Sequence, residues 1–262
     1  MKLLFVGDVV GDVGRHALET VLPRLRERHE PDFVVVNGEN AAGGLGITEK
    51  IARGFLDGLG VDAITLGNHA YRHASVFPFL DADLRIVRPA NYFRGDPGRG
   101  HTVVARDGRR LAVVNLSGTV FLDAARSPFS EADAVIAALD GECDFTLVDF
   151  HAEATSEKVA MGWYLDGRVA AVLGTHTHVP TADGRVLPGG TAFISDVGMT
   201  GSRRSVLGVK REQAIERFRT GMPVRFETAD EDVWINAALV EVGADGMATG
   251  FEQLLLPADG TD

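Results

Sequence analysis

Residues of the types that commonly bind metal ions stand directly after short apolar runs along this chain. Five segments, FVGDVV, VVVNGEN, LGNHAY, LVDFHAE and VLGTHTHV, carry Asp8, Glu39, Asn40, Asn68, His69, His151, His176 and His178. An apolar run that stops at a small residue is typical of a buried strand, and ligands of open α/β sheets bind beyond the carboxyl ends of strands. Carboxylate, amide and imidazole groups gathered at such an edge suit two divalent metal ions, and two metals suit phosphoryl transfer.

Each of these residues also has a structural interpretation when it is taken alone. Asp8 suits a helix N-cap or a Gly-rich turn, and His151 suits a hydrogen-bonded structural role. His176 and His178 differ, because residues two apart in an extended segment point to the same side. Two imidazoles aimed together after a buried strand indicate metal binding. Five such strand ends in one chain favour a shared metal site over unrelated structural roles.

Four further residues are candidate substrate contacts because they lie close to these motifs. His73 follows His69 closely, Asn91 and Tyr92 lie in the segment RPANY, and Thr177 separates the paired histidines. The Gly-rich stretch AAGGLG matches neither GxxxxGK[ST] nor a GxGxxG placed between strand and helix. We therefore interpret it as a flexible loop near the site.

The elements that must position these residues alternate between strand and helix in the first quarter of the chain. Apolar runs predict three strands, at residues 2–7, 32–37 and 61–67. Apolar positions recur at helical spacing over residues 14–29, where Pro23 predicts a kink or an early break. Thr48 is a candidate N-cap for a helix that runs to about Gly58. This β-α-β-α-β order predicts a parallel sheet.

The rest of the chain indicates a sheet that also contains antiparallel strands. The pairs Asp107-Gly108 and Asp245-Gly246 each separate two strand-like runs, which is typical of a hairpin turn. We therefore predict an α/β fold with a mixed sheet. We expect one domain over residues 1–262, with residues 75–110 or 200–230 as candidates for a small cap.

Composition limits the classes of function. The formal net charge is -11 and the pI about 5.2, which argues against a bulk electrostatic grip on nucleic acid. The apolar runs are too short for a signal peptide core or a membrane span. The single cysteine, Cys143, has no intrachain partner for a disulfide. We expect a cytoplasmic enzyme or binding protein that acts on a small phosphorylated molecule, and a homo-oligomer from the size and type of enzyme.

The order of the motifs resembles the calcineurin-like metallophosphoesterase superfamily. That superfamily has an Asp after the first strand, a bridging acid, a GNH motif, a later His and a final pair of histidines. This chain departs from the pattern at two positions, since Val10 stands where DxH has its His, and Glu39 replaces the bridging Asp. Both departures are those of the YmdB-like branch, which the chain also resembles in GDVVGDVGR, VVNGENAAGG, RPANY, SEKVAMGWYLDGRVAAVLGTHTHV and GGTAFISDVGMTGS, over about residues 1–255.

This resemblance implies a fold, an activity and roles for the candidate residues. The implied fold is a sandwich of two mixed β-sheets flanked by helices. The implied activity is that of a phosphodiesterase with a di-iron or di-manganese centre, acting on 2′,3′-cyclic nucleotides such as 2′,3′-cyclic AMP. In our hypothesis Glu39 bridges the metals, a hydroxide between them attacks phosphorus, and His69 is the general acid. The coordination of one metal is completed by Asp8, His178 and Asn40, and that of the other by Asn68, His151 and His176.

Three alternatives remain open from the sequence. A phosphomonoesterase or a nuclease of the same fold would use the same centre, and the acidic net charge weighs against the nuclease except for a local patch near Arg203, Arg204, Lys210 and Arg211. A non-catalytic nucleotide-binding regulator would need no general acid, so His69 argues against it. The oxygen-rich ligand set favours iron or manganese over zinc.

Overall fold

The computed structural model describes residues 1–259, and these contain thirteen strands and six α-helices. The strands are β1 (Lys2–Val6), β2 (Phe33–Asn37), β3 (Ala63–Thr65), β4 (Ile86–Val87), β5 (His101–Arg106), β6 (Arg109–Ser117), β7 (Phe145–His151), β8 (Ala171–Thr175), β9 (Arg185–Val186), β10 (Ala192–Ile194), β11 (Gly201–Ser202), β12 (Val233–Val242) and β13 (Ala248–Pro257). The helices are α1 (Gly11–His29), α2 (Glu49–Arg53), α3 (Phe77–Ala82), α4 (Pro128–Ala138), α5 (Thr155–Tyr164) and α6 (Arg211–Thr220). A π-helical turn, Gly54–Gly58, extends α2, and a 3₁₀ turn, Ala74–Val76, precedes α3.

The strands form two mixed sheets. The first has the order β11-β12-β1-β2-β3-β4, with β13 paired to β12, and β1 to β4 run parallel. The second has the order β5-β6-β7-β8-β10-β9, and its four central strands β6, β7, β8 and β10 run parallel. Antiparallel neighbours complete both sheets. The prediction of two mixed sheets flanked by helices is confirmed.

Alternation along the strands builds three apolar layers. Leu3 and Phe5 of β1 face the second sheet, whereas Leu4 and Val6 face the helices on the outer side. This follows from the two-residue period of a strand, and both faces are buried, as parallel sheets require. The rings of Phe33 and Phe145 meet edge to face with centroids 5.8 Å apart, which joins the sheets at the middle of the sandwich.

Helix α1 covers the outer face of the first sheet and is not interrupted at Pro23. It runs unbroken to His29, so the expected break is wrong. Pro23 is exposed, so the carbonyl freed by its missing N–H faces water, while Leu18, Leu22 and Leu25 hold the opposite side against the sheet. Thr48 caps α2 as predicted, because its hydroxyl accepts the Ile51 N–H at 3.4 Å.

Both predicted hairpins are present. Asp107 and Gly108 have φ values of 51° and 77°, as a tight turn between β5 and β6 requires, and β12 pairs with β13 around Asp245-Gly246. The segments considered for a cap contribute β4, β5 and β11 to the two sheets. Within residues 1–259, none of the helices has the length and apolarity that a bilayer crossing requires.

Candidate metal centre

Glu39, just beyond β2, is at the middle of the candidate site. Its side chain is fully buried. One carboxylate oxygen, Oε2, lies 3.2 Å from His151 Nε2 and accepts the backbone N–H of His69 at 3.2 Å. The other, Oε1, lies 3.3 Å from His69 Nδ1 and accepts the Asn40 amide at 2.9 Å. Residues from the ends of β2, β3 and β7 thus meet at one carboxylate.

His151 Nε2 is surrounded by atoms that carry lone pairs. It lies 2.9 Å from Asn68 Oδ1, 3.0 Å from His176 Nδ1 and 3.2 Å from Glu39 Oε2. A single proton on Nε2 bonds well to only one of these acceptors, whereas a cation among them binds several at once. Glu39, His151 and His176 each offer a ligand atom within 4.8 Å of the others, so these residues fit a metal ion.

The remaining predicted ligands are Asn40, His178 and Asp8. Asn40 Nδ2 lies 3.0 Å from His178 Nε2, and Asn40 Oδ1 lies 2.8 Å from His69 Nδ1. Asp8 is fully buried beyond β1, and its Oδ2 accepts the His176 backbone N–H at 3.1 Å. Its Oδ1 has no hydrogen-bond partner among the described residues. A buried carboxylate oxygen without a partner is costly, so this atom too fits a cation ligand.

Gly67 provides the space in which these groups converge. A Cβ at this position would lie 2.3 Å from both Glu39 Oε2 and His151 Nε2, closer than any ordinary contact. The glycine of the segment LGNHAY is therefore required by the close approach of the Glu39 and His151 side chains.

The charges of the site depend on one another. Burial disfavours the His151 imidazolium, but Glu39 and Asp8 outweigh it and raise the pKa of His151 to about 9. Burial would raise the pKa of Glu39, but His151 and His69 hold it well below its usual range. Burial and the charge of His151 lower the pKa of His176 to about 3, and burial raises the pKa of Asp8. His176 is therefore a neutral imidazole, the form that coordinates metals.

The backbone at the paired histidines is not extended, so that part of the prediction is wrong. His176 and His178 have φ values of 102° and 66°, which non-glycine residues adopt at an energetic cost. Nevertheless both rings face the site, His176 towards His151 and His178 towards Asn40. The tight turn, rather than the two-residue period of a strand, brings the two imidazoles to opposite sides of the centre.

A buried ion pair holds this turn, and sequence analysis did not identify it. Asp196 Oδ2 accepts the backbone N–H of Thr177 at 3.0 Å and its hydroxyl at 2.7 Å, and it pairs with Lys158 Nζ at 2.7 Å. Lys158 and Asp196 are only 2% and 1% exposed. The Thr177 hydroxyl therefore faces Asp196, and its contact with substrate stays a prediction.

A second unanticipated chain of bonds orients His151. The Thr175 hydroxyl donates to Asp149 Oδ1 at 2.7 Å and lies 2.8 Å from His151 Nδ1. Because the hydroxyl gives its proton to Asp149, it accepts from Nδ1–H, so in the neutral form of His151, which a metal ion requires, the lone pair lies on Nε2. Burial raises the pKa of Asp149 to about 6. Its position two residues before His151 on the same strand was the available signal.

His69 differs from the buried histidines in exposure. Its side chain retains 29% exposure, whereas that of His151 retains none. Nδ1 faces Asn40 and Glu39, and Nε2 has no hydrogen bond among the described residues. His69 is therefore a partly exposed ring beside Glu39 and Asn40.

The other predicted substrate contacts have different surroundings. Tyr92 lies near the site, with its hydroxyl 3.5 Å from the Gly67 carbonyl. Asn91 is fully buried, and its amide donates to the carbonyls of Ser117 and Arg126. Both donor hydrogens of Asn91 are thus used by the backbone, and its substrate contact remains a prediction. So does that of His73, whose Nε2 lies 2.9 Å from the Leu45 carbonyl in the Gly-rich loop.

Solved structures define the class to which this fold belongs. The crystal structure of a novel phosphatase from Mycoplasma pneumoniae has a TM-score of 0.91 and 34% identity, covering 98% of this chain and 93% of that one. A 5′-nucleotidase precursor from Thermus thermophilus has a TM-score of 0.56 and 16% identity, covering 99% of this chain and 55% of that one, which is a likeness of fold alone. The fold is that of the calcineurin-like metallophosphoesterases, which implies divalent metal ions.

The sequence comparison is more specific. The profile of the YmdB-like protein family matches residues 4–254. The chain is also 48% identical over 260 residues to the 2′,3′-cyclic-nucleotide 2′-phosphodiesterase of Bacillus subtilis strain 168, an alignment that covers 99% of this chain and 98% of that protein. The chain belongs to the YmdB-like family, as the motif order predicted.

Proposed function

We propose that this protein is a metal-dependent phosphodiesterase that hydrolyses 2′,3′-cyclic nucleotides, the activity for which its Bacillus subtilis relative is named. The observation that carries the proposal is the convergence of buried ligand atoms, above all the partnerless Asp8 Oδ1 and the crowded His151 Nε2. Such an arrangement is costly for a protein without cations, and it suits an anionic phosphodiester once cations are bound.

Two sets of residues would each hold one metal ion and would share Glu39. Asp8, Asn40 and His178 form the first set, and Asn68, His151 and His176 form the second. Two divalent ions, when bound, would neutralise charge on the phosphate and would activate a water molecule for attack. The oxygen-rich set of candidate ligands supports iron or manganese over zinc.

His69 is suited to protonate the leaving ribose oxygen. Its Nδ1 lies 2.8 Å from Asn40 Oδ1, which orients the ring and leaves Nε2 as the atom that delivers the proton. General acid catalysis of this kind, by the protonated ring, contributes about 10²–10⁴-fold in rate. Oxygen is the leaving atom, so the proton from Nε2 forms the ribose hydroxyl as the P–O bond breaks.

The predicted basic patch offers a nuclease little support. Three of its four residues, Arg204, Lys210 and Arg211, each pair with a glutamate, and the fourth, Arg203, lies over the Trp234 ring. A chain-tracking nuclease needs unpaired cations along the phosphate backbone. A phosphomonoesterase keeps the same centre, so it is separated from the proposal only by substrate choice.

The test compares substrates on one preparation. Metal content is measured by elemental analysis, and hydrolysis of 2′,3′-cyclic AMP, p-nitrophenyl phosphate and a short RNA is followed with and without chelator. We expect close to two metals per chain and chelator-sensitive hydrolysis of the cyclic nucleotide at a higher rate than that of the other two substrates. Preferred hydrolysis of p-nitrophenyl phosphate would support the phosphomonoesterase. Absence of hydrolysis after iron or manganese is restored would favour a nucleotide-binding regulator.

The organisation of the protein is part of the proposal. We expect a single catalytic domain over residues 1–262, acting in the cytoplasm as a homo-oligomer. Exposed apolar side chains on and after α6 support an oligomer, since Phe218 is 84% and Met222 64% exposed. Light scattering of the purified protein tests this, and a monomer at all concentrations would contradict it.

A further inference from the structure

A cavity of about 460 Å³ adjoins the candidate metal centre at Asn68. This volume lies within the ~300–1,000 Å³ range of small-molecule sites. Its lining is aromatic and acidic, with Tyr71, Tyr92, Phe93, Phe121, Asp96 and Asp123 among the residues. None of these side chains is a ligand in the proposed centre, so metal binding does not account for the cavity.

The back of the cavity is rigid. Tyr71 and Tyr92 pack with ring centroids 6.0 Å apart, and Tyr71 also meets Phe77 edge to face at 5.5 Å. The Tyr71 hydroxyl donates to the Pro97 carbonyl at 2.8 Å, and the Tyr92 hydroxyl lies 3.5 Å from the Gly67 carbonyl. These contacts fix the two tyrosines and connect the cavity to the glycine on which the ligands converge.

The front of the cavity presents two aromatic rings to solvent. Phe93 is 70% exposed and Phe121 is 87% exposed. Phe121 also has a φ of 64°, which is a genuine outlier for a bulky residue. Strain of this kind persists where surrounding structure enforces it, and it concentrates at functional sites.

The loop that carries Phe121 is anchored at both ends. Glu157 Oε1 accepts the N–H and the hydroxyl of Thr119, each at 2.9 Å. At the other end, Arg126 donates to the carbonyl of Tyr92 at 2.6 Å and to that of Ala90 at 2.7 Å. The loop is thus tied to the segment that carries Phe93, which pre-organises both rings for a ligand.

We propose that this cavity binds the nucleobase of the substrate, an inference that rests on the proposed function. The base would stack on Phe93 and Phe121 while the cyclic phosphate of the same substrate lies at the metal centre. Stacking on an aromatic ring is available to every base and carries little sequence preference. The carboxylates of Asp96 and Asp123 accept hydrogen bonds from N–H groups of the base or from the free ribose hydroxyl. The larger stacking area of purines makes them the preferred substrates.

The cavity on the opposite side of the centre is a poorer base site. It has a volume of about 340 Å³ and meets the site at His178. Its one large ring, Trp234, already carries the Arg203 guanidinium 4.3 Å from its centroid. A base would have to displace this cation to stack there, whereas Phe93 and Phe121 have no such cover among the described residues.

The experiment separates base recognition from phosphate chemistry. Phe93→Ala and Phe121→Ala are assayed on 2′,3′-cyclic AMP and on methyl ribofuranoside 2′,3′-cyclic phosphate, which lacks a base. Loss of one stacking ring is expected to lower kcat/KM for 2′,3′-cyclic AMP by about 5- to 100-fold, chiefly through KM, and to leave the baseless substrate unchanged. Phe121→Tyr keeps the ring and should retain wild-type kinetics. Trp163→Ala removes an exposed ring on α5 that does not line the cavity, and it is the matched control.

A binding measurement makes the outcome independent of turnover. Calorimetric titration with adenosine 3′-monophosphate should show weaker binding in the Phe93 and Phe121 alanine variants and unchanged binding in Trp163→Ala. This result would support the base site even if wild-type protein hydrolyses neither substrate, in which case only the proposed function fails. Three results would each overturn the base site. They are an equal loss of kcat/KM on both substrates, unchanged kinetics and binding in the alanine variants, and a changed oligomeric state in place of changed binding.

Discussion

Replacing Gly67 by alanine tests whether the convergence of ligand atoms is the basis of activity. The added Cβ would lie 2.3 Å from Glu39 Oε2 and from His151 Nε2, against an ordinary contact distance of 3.4 Å. Each ligand atom therefore has to move by about 1 Å, or the loop that carries Asn68 has to withdraw by as much. Misplacement of about 1 Å at a reacting centre costs on the order of 10²-fold in rate.

The assay for Gly67→Ala combines metal content with turnover. We expect fewer than two metals per chain and a kcat/KM for 2′,3′-cyclic AMP reduced by about 10²-fold, since the ligands would no longer hold their separations. The matched control is Gly54→Ala, because a Cβ on Gly54 meets nothing within 4 Å and the residue lies in a helical turn. Full metal content together with wild-type turnover in Gly67→Ala would refute the proposed geometry.

Three further predictions concern residues around the same centre. Glu39→Gln should lose metal, whereas His69→Ala should keep its metal and lose about 10²–10⁴-fold in turnover. Elemental analysis and steady-state kinetics measure the two effects, and equal metal loss in both variants would contradict this division of roles. Thr175→Val keeps the shape of the side chain but removes the hydrogen-bond acceptor for His151 Nδ1. Metal affinity, measured by chelator competition, should fall by about 10–100-fold. An unchanged affinity would argue against the orienting role of Thr175. Asp8→Asn removes a fully buried carboxylate whose Oδ1 accepts no hydrogen bond among the described residues and whose pKa is raised by burial. It should raise the melting temperature of the metal-free protein and lower that of the metal-loaded protein, and a shift in the same direction for both would refute a ligand role.

Much of the fold was predictable because it depends on local patterns. The two-residue alternation of Leu3 to Val6 is determined by strand geometry, and the Asp107-Gly108 turn by the φ values that it needs. The break at Pro23 was wrong because packing of Leu18, Leu22 and Leu25 outweighs the loss of one exposed backbone hydrogen bond. Local propensity therefore decided the elements except where burial overrode it.

The residue types of the site were also readable from the sequence, but their geometry was not. Asp8, Glu39 and His151 were marked by their place after apolar runs, and the tertiary structure brings them within a few ångströms of one another. The left-handed backbone at His176 and His178 was not predictable, because Lys158 and Asp196, which hold that turn, are 38 residues apart and belong to different elements. Long-range pairs of this kind leave no periodic signal in a single sequence.

The sequence by itself determined which chemical groups stand at the ends of the strands and the order in which the chain delivers them. Only the tertiary structure decided that Thr175 and Asp149 set the tautomer of His151, that Gly67 leaves room for the ligands, and that Phe121 faces a cavity beside them. The physical reason is that strand ends follow from local alternation of apolar residues, whereas tautomers, close approaches and cavities follow from contacts between segments that are distant along the chain.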